Sequence, residues 1–207
     1  MNPYLKILYK YSYHSVELGG SSNSKPELIA RADSNKKENE RIQGKAQKLE
    51  VKRFKNQNLW DLFFENLRSR KEFGRVVSRP QVRFGYKVEV SLKNGLGIGF
   101  CATYMGKISG IYYTSHNPDS LNPIREFTTD FDKSIRFNKH LSYHPFSQEQ
   151  FEIAKELDLN FTRFFPDFVP FNNFFADHEL WNIVIGEDFI PRTDLFRAFF
   201  SDSMIII

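Results

Sequence analysis

Hydrophobic and polar positions change period several times along this chain, and each period predicts a different element. The segment YKVEVSL (86–92) alternates, with Val88, Val90 and Leu92 on one side and Lys87, Glu89 and Ser91 on the other. A period of two is that of a β-strand with one covered face. Asn94-Gly95 follows, a dipeptide suited to a type I′ hairpin turn, which needs positive φ at both central residues. The return segment LGIGFCATY (96–104) places Leu96, Ile98 and Phe100 on one face. Gly97, Gly99 and Cys101 occupy the other, small enough for another element to approach closely. Met105-Gly106-Lys107 then turns into ISGIYYT (108–114). These segments predict an antiparallel meander near the middle of the chain.

Helical spacing appears on either side of it. Leu59, Leu62, Phe63 and Leu67 recur at three and four residues, with Trp60 and Phe64 widening the stripe. This predicts a helix over 59–73, with Asn58 as N-cap, Arg68, Arg70 and Lys71 toward the C-terminal end of its dipole, and Gly74 as the stop. Ser147 and Gln150 make a capping box for a second helix, with Phe146 and Phe151 at the staple positions. Phe151, Ala154 and Leu157 give its expected buried face. LWNIVIG (180–186) reads as a strand, TDLFRAFF (193–200) as a short helix and SIRF (134–137) as a further short strand. Residues 4–18 fit a short helix or a strand, and GGSSNSKP (19–26) reads as a loop. FTRFFPDFVPFNNFF (161–175) holds seven Phe, and Pro166 and Pro170 exclude a regular helix interior. It reads as core, or as an aromatic surface for a protein partner. The expected fold class is α+β, a central antiparallel β-meander flanked by helices, in one domain of 207 residues.

Composition narrows the class. With 41% hydrophobic and 26% charged residues, the chain has the make-up of a globular protein and not of a disordered one. Its one cysteine, Cys101, cannot form an internal disulfide, which points to a reducing compartment. The N-terminal MNPYLKILYKYSYHS lacks the apolar core of a signal peptide, and no apolar run of about 18 residues suggests a spanning helix. The expected location is the cytoplasm, away from membranes. The net charge of +4 is unevenly spread: residues 1–80 carry 17 Lys+Arg against 9 Asp+Glu, and residues 81–207 carry 12 against 16. A basic first part and an acidic second part imply a polyanion partner for the first, or pairing of the two within the molecule.

The sharpest chemical signal is QKLEVKRF (47–54). As a strand, it would put Glu50 and Lys52 on one face and Leu49 and Val51 on the other. As part of a helix over 39–54, Ile42, Ala46 and Leu49 would form one stripe, and Glu50 and Lys52 would diverge. In the strand form, this Glu-x-Lys resembles the motif strand of the PD-(D/E)xK nuclease superfamily. That resemblance spans residues 14–70 and implies a Mg²⁺-dependent endonuclease. Glu50 and an upstream acid, Glu27 after Pro26 or else Asp33, would hold Mg²⁺, with Glu17 as a further acid. Lys52 would assist catalysis at the phosphate.

Independently of that motif, Lys48, Arg53 and Lys55 around Phe54, together with Arg68, Arg70 and Lys71, are the donor types that contact phosphates. They suggest a nucleic-acid partner, DNA ahead of RNA. The alternative is a non-enzymatic protein-binding module, of inhibitor or immunity type, acting through the acidic, aromatic C-terminal half. Gly95, Gly97 and Gly99 sit inside a hairpin and do not open a helix, so they are not a dinucleotide fingerprint. His140 and His144 are four apart but run into Pro145, and need a further ligand to hold a metal.

Overall fold

Residues 85–115 form the antiparallel meander that their alternation predicts, and helices flank it, so the fold is α+β. The computed structural model describes residues 2–14, 25–82, 84–115, 140–185 and 188–200. In chain order these make α1 (Pro3–Leu8), β1 (Ser12–His14), α2 (Lys25–Lys55), α3 (Gln57–Arg68), β2 (Val76–Val82), β3 (Gly85–Ser91), β4 (Leu96–Thr103) and β5 (Ile108–Ser115). There follow β6 (His140–Ser142), α4 (Gln148–Phe164), β7 (Val169–Pro170), β8 (Glu179–Ile185), β9 (Asp188–Asp194) and α5 (Leu195–Phe200). The main sheet runs β2-β3-β4-β5-β6, all antiparallel, and β7 adds to β5 in parallel. A second sheet runs β1-β8-β9. Glu17 and the SIRF segment lie outside the described residues.

Aromatic core covers both faces of the meander, with α3 and α4 on one and Phe171, Phe196 and Phe200 against Gly110 on the other. Phe63 of α3 packs on Phe100 of β4 and Phe161 of α4, with ring centroids 5.8 and 5.4 Å away. Phe161, Phe165, Phe168 and Phe171 are buried, so most of the Phe-rich segment is interior. Phe174, at 81% exposure, is the ring of that segment that faces solvent. The aromatic protein-binding surface considered from sequence is therefore largely used up by the fold. On the other face, the Tyr112 ring lies across Gly99, where a Cβ would sit 1.9 Å from it. Its hydroxyl donates to Glu89 Oε1 at 2.7 Å, and Lys87 Nζ lies 3.5 Å from the same oxygen. Glycine on β4 thus lets one aromatic ring reach across to the charged side of β3. Cys101 is buried beside this cluster, and burial pushes its thiol up to about 12, which removes it as a nucleophile.

Several boundaries differ from expectation. The hairpin after β3 has a three-residue loop, Lys93–Gly95, in which Gly95 supplies the positive φ (73°). Two consecutive positive φ values occur instead at Gly106 and Lys107 (82° and 52°). α3 begins at Gln57 because α2 runs up to Lys55, and Asn56 makes no side-chain cap. It ends at Arg68, and Gly74 instead donates its N–H to the Ser91 carbonyl at 2.9 Å. The buried stripe is Trp60, Phe63 and Leu67, while Leu62 is 60% exposed. In α4 the first half of the expected capping box is present, with the Gln150 N–H donating to Ser147 Oγ at 3.2 Å, while Gln150 Oε1 accepts from the Phe146 N–H at 2.8 Å. The Gln150 side chain is fully buried and donates to the carbonyls of Gly97 and Thr114, at 2.9 and 3.2 Å. Phe151 faces outward under Lys155, and Ala154, Leu157 and Phe161 form the buried face.

Candidate nucleic-acid interface

Residues 25–55 form one helix of 31 residues. Its composition favours this: Ala, Lys, Glu, Gln, Arg and Leu dominate, and Glu38–Arg41 and Glu50–Arg53 are i,i+3 pairs that support a helix. Ile42 and Leu49 are 1% and 4% exposed and anchor the helix to the core. Arg41 and Lys45 both donate to the Lys10 carbonyl, at 3.1 and 3.0 Å, which ties the middle of the helix to the segment after α1. The open choice for QKLEVKRF is therefore decided in favour of the helix, and the apolar stripe is the Ile42, Ala46 and Leu49 stripe of that alternative.

This period corrects the metal-site expectation. Successive helical residues turn by about 100°, so Glu50 and Lys52 stand about 160° apart around the axis. Along the axis, Glu50 lies about 25 Å from Asp33 and about 35 Å from Glu27, all on the same helix. No rearrangement of side chains closes such gaps, since a carboxylate reaches only a few ångström beyond its backbone. The Glu50 carboxylate is also engaged. Oε2 accepts from Arg53 Nε at 2.8 Å, and Oε1 accepts from the Phe84 N–H at 3.1 Å. Phe84 has φ 58°, in the left-handed region that is strained for a non-glycine residue. Glu50 thus holds the turn between β2 and β3. Beside it, the Tyr86 hydroxyl donates to the Arg53 carbonyl, and Trp60 stacks on Tyr86 with centroids 4.6 Å apart. These residues dock α2 and α3 onto the sheet; they do not fit a Mg²⁺ site. Among the described residues, no three His, Cys, Asp or Glu side chains gather as metal ligands. His140 lies in β6 and the exposed His144 just beyond it, so their spacing of four has no helical meaning.

What α2 does build is a basic stripe. Lys37, Arg41, Lys45, Lys48, Lys52 and Lys55 follow one another at spacings of 4, 4, 3, 4 and 3. On a helix, those spacings fall within one narrow sector of the surface, over an axial length of about 27 Å. Lys37, Lys48, Lys52 and Lys55 are exposed. Among the described residues, none of Lys48, Lys52 or Lys55 makes an ion pair. Arg41 pairs with Glu38, whose carboxylate also feels the charge of Lys45, and Lys45 donates to the Lys10 carbonyl.

The other predicted contacts separate into two groups. Arg53 is turned inward onto Glu50, with its side chain 17% exposed. Arg68 pairs with Glu65 on its own helix, and Arg70 pairs with Glu72 and with Glu156 of α4. Arg70 therefore realises the intramolecular pairing of basic and acidic parts. Lys71 is exposed just beyond the end of α3, outside α2. Lys37, Arg41 and Lys45 were not singled out by sequence reasoning. Their signal was the alternation of three- and four-residue steps, which becomes visible once the helix is taken to extend through Gly44.

No protein-family model matches the chain, and no curated protein or solved structure shows significant similarity to it. Among the described residues, no helix is long and apolar enough to cross a membrane.

Proposed function

We propose that this protein associates with nucleic acid through the basic stripe of α2. The observation that carries the proposal is the placing of six cations on one sector of one helix, with the three around its C-terminal half exposed and making no ion pair among the described residues. Such an array matches the spaced negative charges of a phosphate backbone, which Lys and Arg contact without regard to sequence. Among the described residues, pairing with the acidic second part engages Arg70, while within the stripe Arg41 pairs with Glu38 of its own helix. The proposal is one of binding. An endonuclease using Glu27 or Asp33 with Glu50, Lys52 and Mg²⁺ is not part of it, because those acids lie along a single helix.

The test is fluorescence anisotropy with labelled oligonucleotides at low ionic strength, repeated across a salt series. Wild-type protein is expected to bind with an affinity that falls steeply with salt, by a log–log slope of about −0.9 for each phosphate contacted on a duplex and −0.7 on a single strand. The triple variant K48E/K52E/K55E is expected to lose most of the affinity and to flatten the slope by about 2 to 3. Absence of salt-sensitive binding by the folded wild-type protein refutes the proposal.

A further inference from the structure

Resting on that reading, we propose that the strand bound is single, with its phosphates on the Lys48, Lys52 and Lys55 stripe and an unstacked base on the ring of Phe54. Phe54 is 65% exposed, an unusual position for so large an apolar ring. Val51, 48% exposed, lies one turn away, three residues before Phe54. The same Val51 is three residues after Lys48 and four before Lys55, so it borders the stripe directly. Around the helix, the order is therefore charged stripe, small apolar step, aromatic ring. A nucleotide presents that order too: phosphate, sugar, planar base.

The ring is also held in place. The Arg53 guanidinium covers one face of Phe54, with Cζ 4.4 Å from the centroid, and Arg53 is itself fixed by Glu50. With that contact in place the residue still keeps 65% of its surface in solvent. In a duplex the π-faces of the bases are stacked on one another, and a ring such as Phe54 would meet only groove edges and phosphates. Splayed bases of a single strand offer those faces, and aromatic side chains flanked by cations are the usual platform for them. The shared chemistry is a single-stranded polynucleotide, from DNA or RNA.

Three labelled ligands of roughly 20 nucleotides test this: oligo-dT, oligo-rU and a mixed-sequence DNA duplex, at matched ionic strength. The wild-type protein is expected to bind a single strand tighter than the duplex, and the tighter of the two single strands identifies the source. F54A is expected to weaken single-strand binding about tenfold or more, with duplex binding and the salt slope little changed. As a positive readout, F54W is expected to retain binding, and its added indole fluorescence is expected to be quenched by oligo-dT. Equal or tighter binding of the duplex overturns the inference, as does F54A binding oligo-dT like wild type while K48E/K52E/K55E does not. Loss of all salt-sensitive binding in the wild type instead removes the underlying nucleic-acid reading.

Discussion

Glu50 separates a structural role from a catalytic one in a single substitution. In the fold described, Glu50→Ala removes the acceptor for the Phe84 N–H (3.1 Å) and the partner of Arg53 (2.8 Å). A hydrogen bond to a charged group contributes about 1.5–3 kcal/mol when it is well shielded. The Glu50 side chain is 33% exposed, so water replaces part of what is lost, and the ion pair adds little at that exposure. The left-handed turn at Phe84 loses its tether as well. The net loss is about 1–2 kcal/mol, which for a chain of this length lowers the melting temperature by about 3–6 °C. Thermal unfolding followed by circular dichroism measures this directly. Glu50→Gln, which keeps an oxygen for the Phe84 N–H, is expected to fall between wild type and Glu50→Ala. Salt-sensitive binding to DNA is expected to persist in both variants, because the stripe is intact. An unchanged melting temperature for Glu50→Ala would refute the structural role. Mg²⁺-dependent cleavage of plasmid DNA by wild type, abolished in both variants, would restore the catalytic one.

Two further substitutions test other junctions. Gln150→Ala leaves the buried carbonyls of Gly97 and Thr114 without their donor and the Phe146 N–H without its acceptor. It is expected to destabilise the protein by about 3 kcal/mol in urea unfolding, and a loss well below 1 kcal/mol would show that α4 is not tied to the sheet through this side chain. Asp194 caps α5 through the Arg197 N–H (2.8 Å) and accepts from the Tyr143 hydroxyl (2.9 Å), and burial holds its carboxyl above the usual aspartate range despite both bonds. A carboxyl with a raised folded pKa keeps its proton in the folded state where the unfolded chain has lost it. Its effect is to lower stability as pH rises from about 4 through the folded pKa. Asp194→Asn is therefore expected to gain on wild type across that window and to run parallel to it at higher pH, as urea unfolding at a series of pH values would read. A constant difference at all pH values would contradict the assignment.

The legible parts of the fold were those where one face is covered and the other is not. The alternation of 86–92 and 96–104 fixes a register in which Val88 meets Phe100 and Val90 meets Ile98. The Ser147 cap marks the start of α4 for a local reason, since its bond from the Gln150 N–H and the bond from the Phe146 N–H to Gln150 Oε1 both lie within five consecutive residues. Legibility fails where contact is narrow. α2 touches the core through few side chains, so its 31 residues show little apolar period, and Gly44 in the middle argues locally against a helix. Within it, LEVK happens to alternate, although Val51 is exposed and Leu49 buried on what a strand would make a common face. At stripe edges the error is one position: Leu62 and Phe151 look interior by spacing and are turned out by how α3 and α4 pack against each other and the sheet. The site followed the same logic. Half of its cations, Lys48, Lys52 and Lys55, stand out in the sequence, but the other three and the grouping into one stripe depend on the helical period that the sequence left open.

The stripe itself is hard to account for by folding alone. Like charges three or four apart on a helix repel by a few tenths of a kcal/mol each, and the stripe contains five such neighbouring pairs, together about 1–2 kcal/mol at low salt. Lys52, Arg53 and Lys55 in the last turn recover some of this from the helix dipole, but that effect fades within a turn and does not reach Lys37, Lys45 or Lys48. Glutamate at position 48 or 45 would relieve the repulsion with no loss of helix propensity. The exposed side of α4 follows that other pattern, with Lys155 paired to Glu152 and Glu156 paired to Arg70. Within one molecule, then, one outer helix has its charges largely neutralised by neighbours, and another holds a row of cations at a cost to its own stability. A polyanion laid along α2, as proposed, would convert that repulsion into binding free energy, through release of counterions as the phosphates are neutralised. If the row binds a polyanion as proposed, Val51 and Phe54 beside it favour a single strand, whose unstacked bases can meet the exposed ring.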